Sequence, residues 1–348
     1  MTPALDALPR FRLFETASPL HRLDRLAAAL GGRTELWIKR EDLLPLAFGG
    51  NKLRNLEFLV GAALAEGADT LVTAGRRWSN HCRLAAAAGA RAGLDVHLVL
   101  SGPPATGHDG REIRNPGRVI DELLGATVDQ LETAERTVRD AAVSSVADAL
   151  RRAGRRPYVI PVGGSGLPGA AGQVLAAREL LDQAGTAGIT GPGGTTGTTG
   201  AAPDAVVVPS ATGGTQAGLL AGLRASGSPA EVVGVLVARP DAELGPAIEG
   251  TLSELGTLTG VPVDPAEIIL DARQLGAGYG IRSADADAAA QLLARSEGIL
   301  VDPIYTAKAL AGLVRAVRDG RWDGRRVVFW HAGGTPGLFE PLEGERFG

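Results

Sequence analysis

Short apolar runs recur along the chain, and between them lie longer stretches whose alanines and leucines repeat at helical spacing. The runs predict strands over Glu35–Lys39, Thr70–Ala74, Asp95–Leu100, Tyr158–Val162, Ala205–Pro209, Val232–Val237 and Arg326–Trp330. Helical patterns follow most of them, for example Leu84–Ala92, Gly172–Gln183, Gln216–Ala225 and Ala307–Arg318. Strand-helix alternation over 348 residues predicts an α/β fold with mainly parallel sheets, as one large domain or two moderate ones. Several strands run into glycine-rich loops: Gly163-Gly164-Ser165, Ala211 to Thr215 and Gly333-Gly334-Thr335. In open α/β sheets, ligands gather at such strand ends. Gly185–Pro203 differs, being low in complexity and without periodicity, and reads as a flexible surface insertion.

Composition narrows the classes. The net charge is −4 and the basic residues do not run together, which speaks against nucleic acid and an anionic membrane surface. Cys82 is the single cysteine, so no internal disulfide forms and a reducing compartment is expected. Met1 to Leu20 has no apolar core segment and reads as no signal peptide. No apolar run is long enough to span a bilayer. The expectation is a soluble cytoplasmic protein.

One residue type then changes the picture. Lysine occurs three times, as Lys39, Lys52 and Lys308, while arginine carries nearly all the positive charge. A lysine needed only for charge can become arginine, but one needed for its amine cannot, because only lysine loses its proton and forms a Schiff base. Lys52 follows Gly49-Gly50-Asn51. The glycines allow a tight turn, Asn51 can cap a helix, and Leu53, Leu56, Phe58 and Leu59 give that helix an apolar face. Lys52 then lies in the first turn, where the helix terminus lowers an amine pKa.

The segment Val206 to Leu220 reads as a buried strand, a Gly/Thr loop and a helix. Backbone N–H groups at that helix start, with the Thr212 and Thr215 hydroxyls, suit a phosphate; an ordinary tight turn is the plainer reading. No Walker lysine and no GxGxxG spacing accompany it. A Schiff-base lysine and a phosphate cup together are what pyridoxal phosphate needs. Cys82 reads as a packing residue. His21, His97 and His108 receive no role, no cluster has metal-ligand spacing, and Ser79 lacks a hydrolase elbow.

Ile38-Lys39-Arg40-Glu41-Asp42, Gly49-Gly50-Asn51-Lys52, Ser79-Asn80-His81, Val162 to Ser165, Ser210 to Thr215, Gly278-Tyr279-Gly280, Val301 to Thr306 and His331 to Pro336 stand in one order along nearly the whole chain. In these motifs the chain resembles the D-cysteine desulfhydrase and 1-aminocyclopropane-1-carboxylate deaminase family, with its two-domain, tryptophan-synthase-β-like fold (fold type II). The resemblance implies that residues 1–54 with 166–348 form the larger domain and 55–165 the smaller. It implies that Lys52 holds pyridoxal phosphate and moves the substrate's α-proton. Asn80 would contact the cofactor's 3-hydroxyl, and Ser79, Asn80 and His81 the substrate carboxylate. Ala211, Thr212, Gly213, Gly214 and Thr215 would bind the phosphate, and Tyr279 and Tyr305 would flank the substrate. Thr306 lies where the family meets the pyridine nitrogen, with glutamate in the deaminase branch and threonine in the desulfhydrase branch. A hydroxyl there suits β-elimination; the same threonine could also cap the helix Ala307–Arg318.

The chain departs from that pattern at Arg76-Arg77-Trp78, where the desulfhydrases usually carry small or apolar residues and a glutamine. Arginine forks at the site mouth suit a carboxylate, sulfonate or phosphate. In the plainer reading they face solvent or pair with acids across a dimer contact. Gly166 and Gln173 replace a usual asparagine and tyrosine. The expected activity is α,β-elimination from a small amino acid, as on D-cysteine, by a homodimer. Deamination of the cyclopropane amino acid, elimination from an anionic substrate such as cysteate, and a non-catalytic cofactor or amino-acid sensor are the alternatives.

Overall fold

The computed structural model describes residues 3–103, 113, 115–186 and 202–340. The insertion singled out at Gly185–Pro203 lies outside them except at its two ends. The described strands are β1 Leu20–Arg22, β2 Glu35–Arg40, β3 Thr70–Arg76, β4 Asp95–Ser101, β5 Thr127–Leu131, β6 Pro157–Val159, β7 Ala205–Ser210, β8 Glu231–Leu236, β9 Ile269–Asp271 and β10 Arg326–His331. The helices are α1 Pro3–Asp6, α2 Asp24–Ala29, α3 Lys52–Ala65, α4 Asn80–Ala92, α5 Pro116–Leu123, α6 Arg136–Arg152, α7 Ala171–Thr186, α8 Gly214–Ala225, α9 Asp241–Thr259, α10 Ala284–Glu297 and α11 Thr306–Arg318.

Two sheets form, as the alternation predicts. One has the order β1-β2-β10-β7-β8-β9 and is parallel except for the β1–β2 pair; the other, β5-β4-β3-β6, is wholly parallel. The central strands of the larger sheet are buried on both faces. Val206, Val208, Val328 and Trp330 pack on one side beneath α7, α8 and α9. Ala205, Val207, Val327 and Phe329 pack on the other beneath α2, α10 and α11. Burial on both faces explains why these strands read as unbroken apolar runs. Helices α3 and α4 cover the smaller sheet, and Leu13, Phe14 and Leu44 join its core from the N-terminal segment.

Three strands escaped the sequence reading, and all three are sheet edges. β1 and β9 are three residues long, and no residue of β5 is buried. The strand expected over Tyr158–Val162 ends at Val159. Ile160 still donates to the carbonyl of Val72, but Pro161 has no N–H to continue the ladder.

Candidate active site

A cavity of about 390 Å³ opens at the carboxyl ends of β3, β7, β8 and β10, between the two sheets. Lys52 reaches it from the first turn of α3. The approach is an unusual backbone: Leu46, Ala47 and Phe48 all hold positive φ, at 75°, 43° and 66°. Gly49 follows at φ 64°, where an added Cβ would lie 2.3 Å from the Asp42 carbonyl oxygen. The buried Arg83 guanidinium donates to the carbonyls of Ala47 and Gly49 and pins this turn. Left-handed non-glycine residues persist only where the surroundings enforce them, and here they precede the lysine. Behind α3, Arg54 is buried against Glu41, with contacts of 2.5 and 2.7 Å, and Glu179, at 2.8 and 3.0 Å. That network fixes the start of the helix, and Lys39 belongs to it through Ser18 and Glu179.

The Lys52 amine donates to the carbonyl of Gly163 at 2.7 Å, and burial lowers its pKa to about 8. Desolvation, rather than the helix terminus, is therefore the cause. Asn51 does not cap α3. It sits at the cap position with helical φ and ψ, and its amide donates instead to the Thr215 hydroxyl at 2.8 Å. That bond ties the lysine-bearing turn to the loop before α8.

The loop itself is built to meet an anion. Gly213 turns it at φ 84°, where a Cβ would lie 2.5 Å from the Ile248 side chain. Ser165 donates to the Thr212 hydroxyl oxygen at 2.6 Å, as Asn51 does to Thr215. Both threonine oxygens are thus accepting, so both hydroxyl protons remain to be donated. The Ser210 hydroxyl is buried in the same wall with no partner. Ala211, Thr212, Gly213 and Thr215 line the cavity, while Gly214 opens α8 behind them and packs on Ser165. The N–H groups of the first helical turn complete the cup.

The facing wall comes from the start of α4. Ser79 takes the cap position, its oxygen accepting from the N–H of Cys82 at 3.2 Å, and its proton stays free. Asn80 accepts from Arg83 at 3.0 Å, which leaves its amide N–H groups to donate. Thr73 gives its hydroxyl proton to the carbonyl of Ile160, so it accepts from Nε2 of His81, at 2.9 Å. His81 is then neutral with Nδ1 bare; that nitrogen is buried and unpartnered. Burial and the charge of Lys52 lower the His81 pKa to about 3. Tyr279 and Tyr305 close the remaining side with their hydroxyls in contact, and burial raises both phenols so that they stay protonated. Cys82 packs in the core, its thiol pushed up to about 12 by burial.

The sequence-predicted residues divide here. Lys52, Ser79, Asn80, His81, Tyr279, Tyr305, Arg76 and four residues of the cup line one cavity. Arg77, Trp78 and Thr306 do not line it. Trp78 is buried behind Tyr279, edge-on at 5.8 Å. Arg77 is buried over the Trp78 ring and faces Glu340 electrostatically. Thr306 is fully buried in the first turn of α11, its hydroxyl engaged with Asp302. The cap of α11 is the Asp302 carboxylate, which accepts from the N–H groups of Ile304, Tyr305 and Thr306. Sequence reasoning missed Ser210, Arg136, Arg139 and Arg239, all of which line the cavity.

Residues 11–333 match the family of pyridoxal-phosphate dependent enzymes, and the chain belongs to it. Among curated relatives, the D-cysteine desulfhydrases of Yersinia enterocolitica serotype O:8 / biotype 1B and Klebsiella pneumoniae subsp. pneumoniae are each 40% identical over 336 residues, covering 96% of this chain and 96% and 97% of theirs. A crystal structure of an "ACC deaminase homologue" matches with TM-score 0.85 and 31% identity, over 97% of this chain and 96% of that one. The fold is therefore the fold type II architecture, and the cofactor is pyridoxal phosphate. The residues present fit it: a buried amine lowered toward neutrality, an Asn80 amide left to donate, and a cup of free hydroxyl protons with an orphaned Ser210 hydroxyl.

Proposed function

We propose that this enzyme carries out α,β-elimination on D-cysteine and related amino acids with a β-leaving group, giving pyruvate, ammonia and, from D-cysteine, sulfide. The observation that carries the proposal is the Lys52 amine, held at a pKa of about 8 in the cavity shared by the Ser79-Asn80-His81 loop and the phosphate cup. The names and near-complete coverage of the curated relatives support the substrate.

Lys52 would hold the cofactor, the Ala211–Thr215 loop and Ser210 its phosphate, and Asn80 its 3-hydroxyl. When bound, pyridoxal phosphate supplies an electron sink for the substrate's α-carbon. Ser79 and Asn80 would orient the α-carboxylate with the donors their other contacts leave free. An amine with a pKa near 8 exists partly unprotonated at neutral pH, so Nζ of Lys52 can accept the α-proton. Tyr279 and Tyr305 are held protonated and can give a proton to the departing β-group. Thr306, buried outside the cavity with its hydroxyl on Asp302, would anchor the start of α11.

Pyruvate and sulfide released together from D-cysteine, and lost in Lys52→Ala, is the expected result; release of neither would reject it. Deamination of the cyclopropane amino acid is the second reading, favoured by the described name of the matching crystal structure. Release of 2-oxobutanoate faster than pyruvate would select it. The same proposal takes the enzyme as a cytoplasmic homodimer. The buried lone thiol of Cys82 fits a reducing compartment, and no helix among the described residues is long and apolar enough to cross a membrane. A sedimentation mass of one 35.6 kDa chain would reject the dimer.

A further inference from the structure

The cavity wall is charged with one sign. Lys52, Arg76, Arg136, Arg139 and Arg239 line it, and no aspartate or glutamate does among the described residues. The cup serves the cofactor phosphate, and the start of α4 serves the α-carboxylate. The four arginines are surplus to both. They arrive from three separate elements: Arg76 ends β3, Arg136 and Arg139 open α6, and Arg239 follows β8.

Local physics opposes this gathering. A helix N-terminus carries partial positive charge and favours acids. Yet α6 begins with Arg136, has no acidic residue in its first turn, and Glu135 at the cap position makes no capping bond. Burial holds the Arg239 guanidinium below its ordinary range; the charges of Arg136 and Arg139 add to the effect, and those of Glu243 and Asp140 oppose it. Arg136 pairs with Glu243 at 2.9 Å and Arg139 with Asp140 at 2.7 Å, and both carboxylates are about half exposed. Exposed pairs of this kind hold little energy. Arg76 and Arg239 make no ion pair among the described residues, and Nε of Arg76 is buried without a hydrogen-bond partner. The Arg76 guanidinium lies 5.1 Å from the Trp78 ring and 6.0 Å from the Tyr279 ring, so its direction is set by stacking. Among the described residues Arg76 and Arg239 are thus left without a carboxylate of their own, and places where a chain breaks local rules in this way are characteristically functional sites.

We propose that the cavity selects amino acids whose β-substituent carries a second oxyanion, a sulfonate or a phosphate ester, gripped by Arg76 and Arg239 within the field of Arg136 and Arg139. The proposal deepens the elimination reading and rests on it. Planar guanidinium forks match tetrahedral oxyanions bidentately. The Cα–H bond breaks with its proton passing to Lys52. The bond from Cβ to sulfur or oxygen breaks with its electron pair leaving on the group, as sulfite or phosphate. The enamine that remains takes up water and yields pyruvate and ammonium, with no oxidant or reductant required. The leaving group gains negative charge as it departs, so the arginines act more strongly in the transition state than on the bound substrate.

The test is pyruvate release by the holoenzyme from both enantiomers of cysteate and O-phosphoserine, set against D-cysteine and β-chloroalanine. One oxyanion substrate should show the higher kcat/KM, and the two arms tell sulfonate from phosphate. Arg76→Gln and Arg239→Gln should each lower the oxyanion-to-neutral ratio by about tenfold or more, and Arg239→Lys, which keeps the charge but not the fork, should fall between Arg239→Gln and the parent. Equal losses on neutral and oxyanion substrates would show a structural role and overturn the proposal. A parallel fall in cofactor affinity would assign the arginines to the cofactor phosphate and overturn it as well. If no substrate releases pyruvate, the elimination reading fails, and calorimetric titration of the holoenzyme with sulfate decides the arginine site alone. Sulfate binding that Arg239→Gln weakens by about tenfold supports it, and unchanged binding refutes it.

Discussion

Lys52 should be a liability to the stability of the protein that depends on it. Its amine has an ordinary pKa of 10.5 and is held at about 8 by burial. At ~1.4 kcal/mol per pH unit, that gap sets ~3 kcal/mol as the most that folding loses at pH 7 by enclosing the ammonium. Replacing Lys52 by methionine removes this cost and keeps a flexible side chain of similar reach. It also leaves the carbonyl of Gly163 without its donor, worth ~1 kcal/mol the other way. The apoenzyme of Lys52→Met should therefore be ~1–2 kcal/mol more stable than the parent at pH 7, with no activity. The sign with pH follows from proton counting. The folded pKa is the lower one, so between about 8 and 10.5 the unfolded chain binds more protons. Stability of the parent then rises with pH through that window, and the advantage of Lys52→Met shrinks. Urea denaturation of both apoenzymes at pH 7 and pH 10 measures this. A less stable Lys52→Met at pH 7, or a difference that is the same at both pH values, would refute the reasoning.

Two other substitutions probe what surrounds the lysine. Asn51→Ala cuts the bond between the lysine-bearing turn and Thr215, and should weaken pyridoxal phosphate binding by roughly five- to tenfold, as read by tryptophan fluorescence titration; an unchanged dissociation constant would mean the bond does not hold the cup. Glu41→Ala leaves the buried Arg54 with only Glu179 and the Ser18 hydroxyl and should cost ~2–4 kcal/mol in denaturation, whereas a loss below ~1 kcal/mol would show that the network contributes no more than a surface pair.

The parts of the fold legible in the sequence are those whose burial is complete. β7, β8 and β10 are apolar on both faces and so read as unbroken runs; β1, β5 and β9 are edges, half open to solvent, with apolar stretches too short or too interrupted to mark a strand. The site was legible where a residue type has no substitute, as for Lys52 among so many arginines. It was misread where geometry decides. Arg76 and Arg77 looked like a pair, but Arg76 is the last residue of β3 and lines the cavity, whereas Arg77 lies in the turn after it, over Trp78 and facing Glu340. Arg136, Arg139 and Arg239 are far from Arg76 in the chain; α6 brings the first two to the cavity by packing on the smaller sheet, and Arg239 comes from the larger sheet. One signal was available: two arginines at the start of a helical stretch, where the dipole favours acids. Asn51 was assigned to its own helix because capping is local, whereas its partner Thr215 is 164 residues away.

Borohydride reduction of the holoenzyme followed by peptide mapping tests the central claim most directly. The other two lysines are committed: Lys39 is buried against Ser18 and Glu179, and Lys308 donates to the carbonyls of Leu275 and Gly278 at 2.9 Å. The reduced cofactor should be found on the peptide carrying Lys52 and on no other. Label on Lys39 or Lys308, or a holoenzyme that takes no label, would contradict the account.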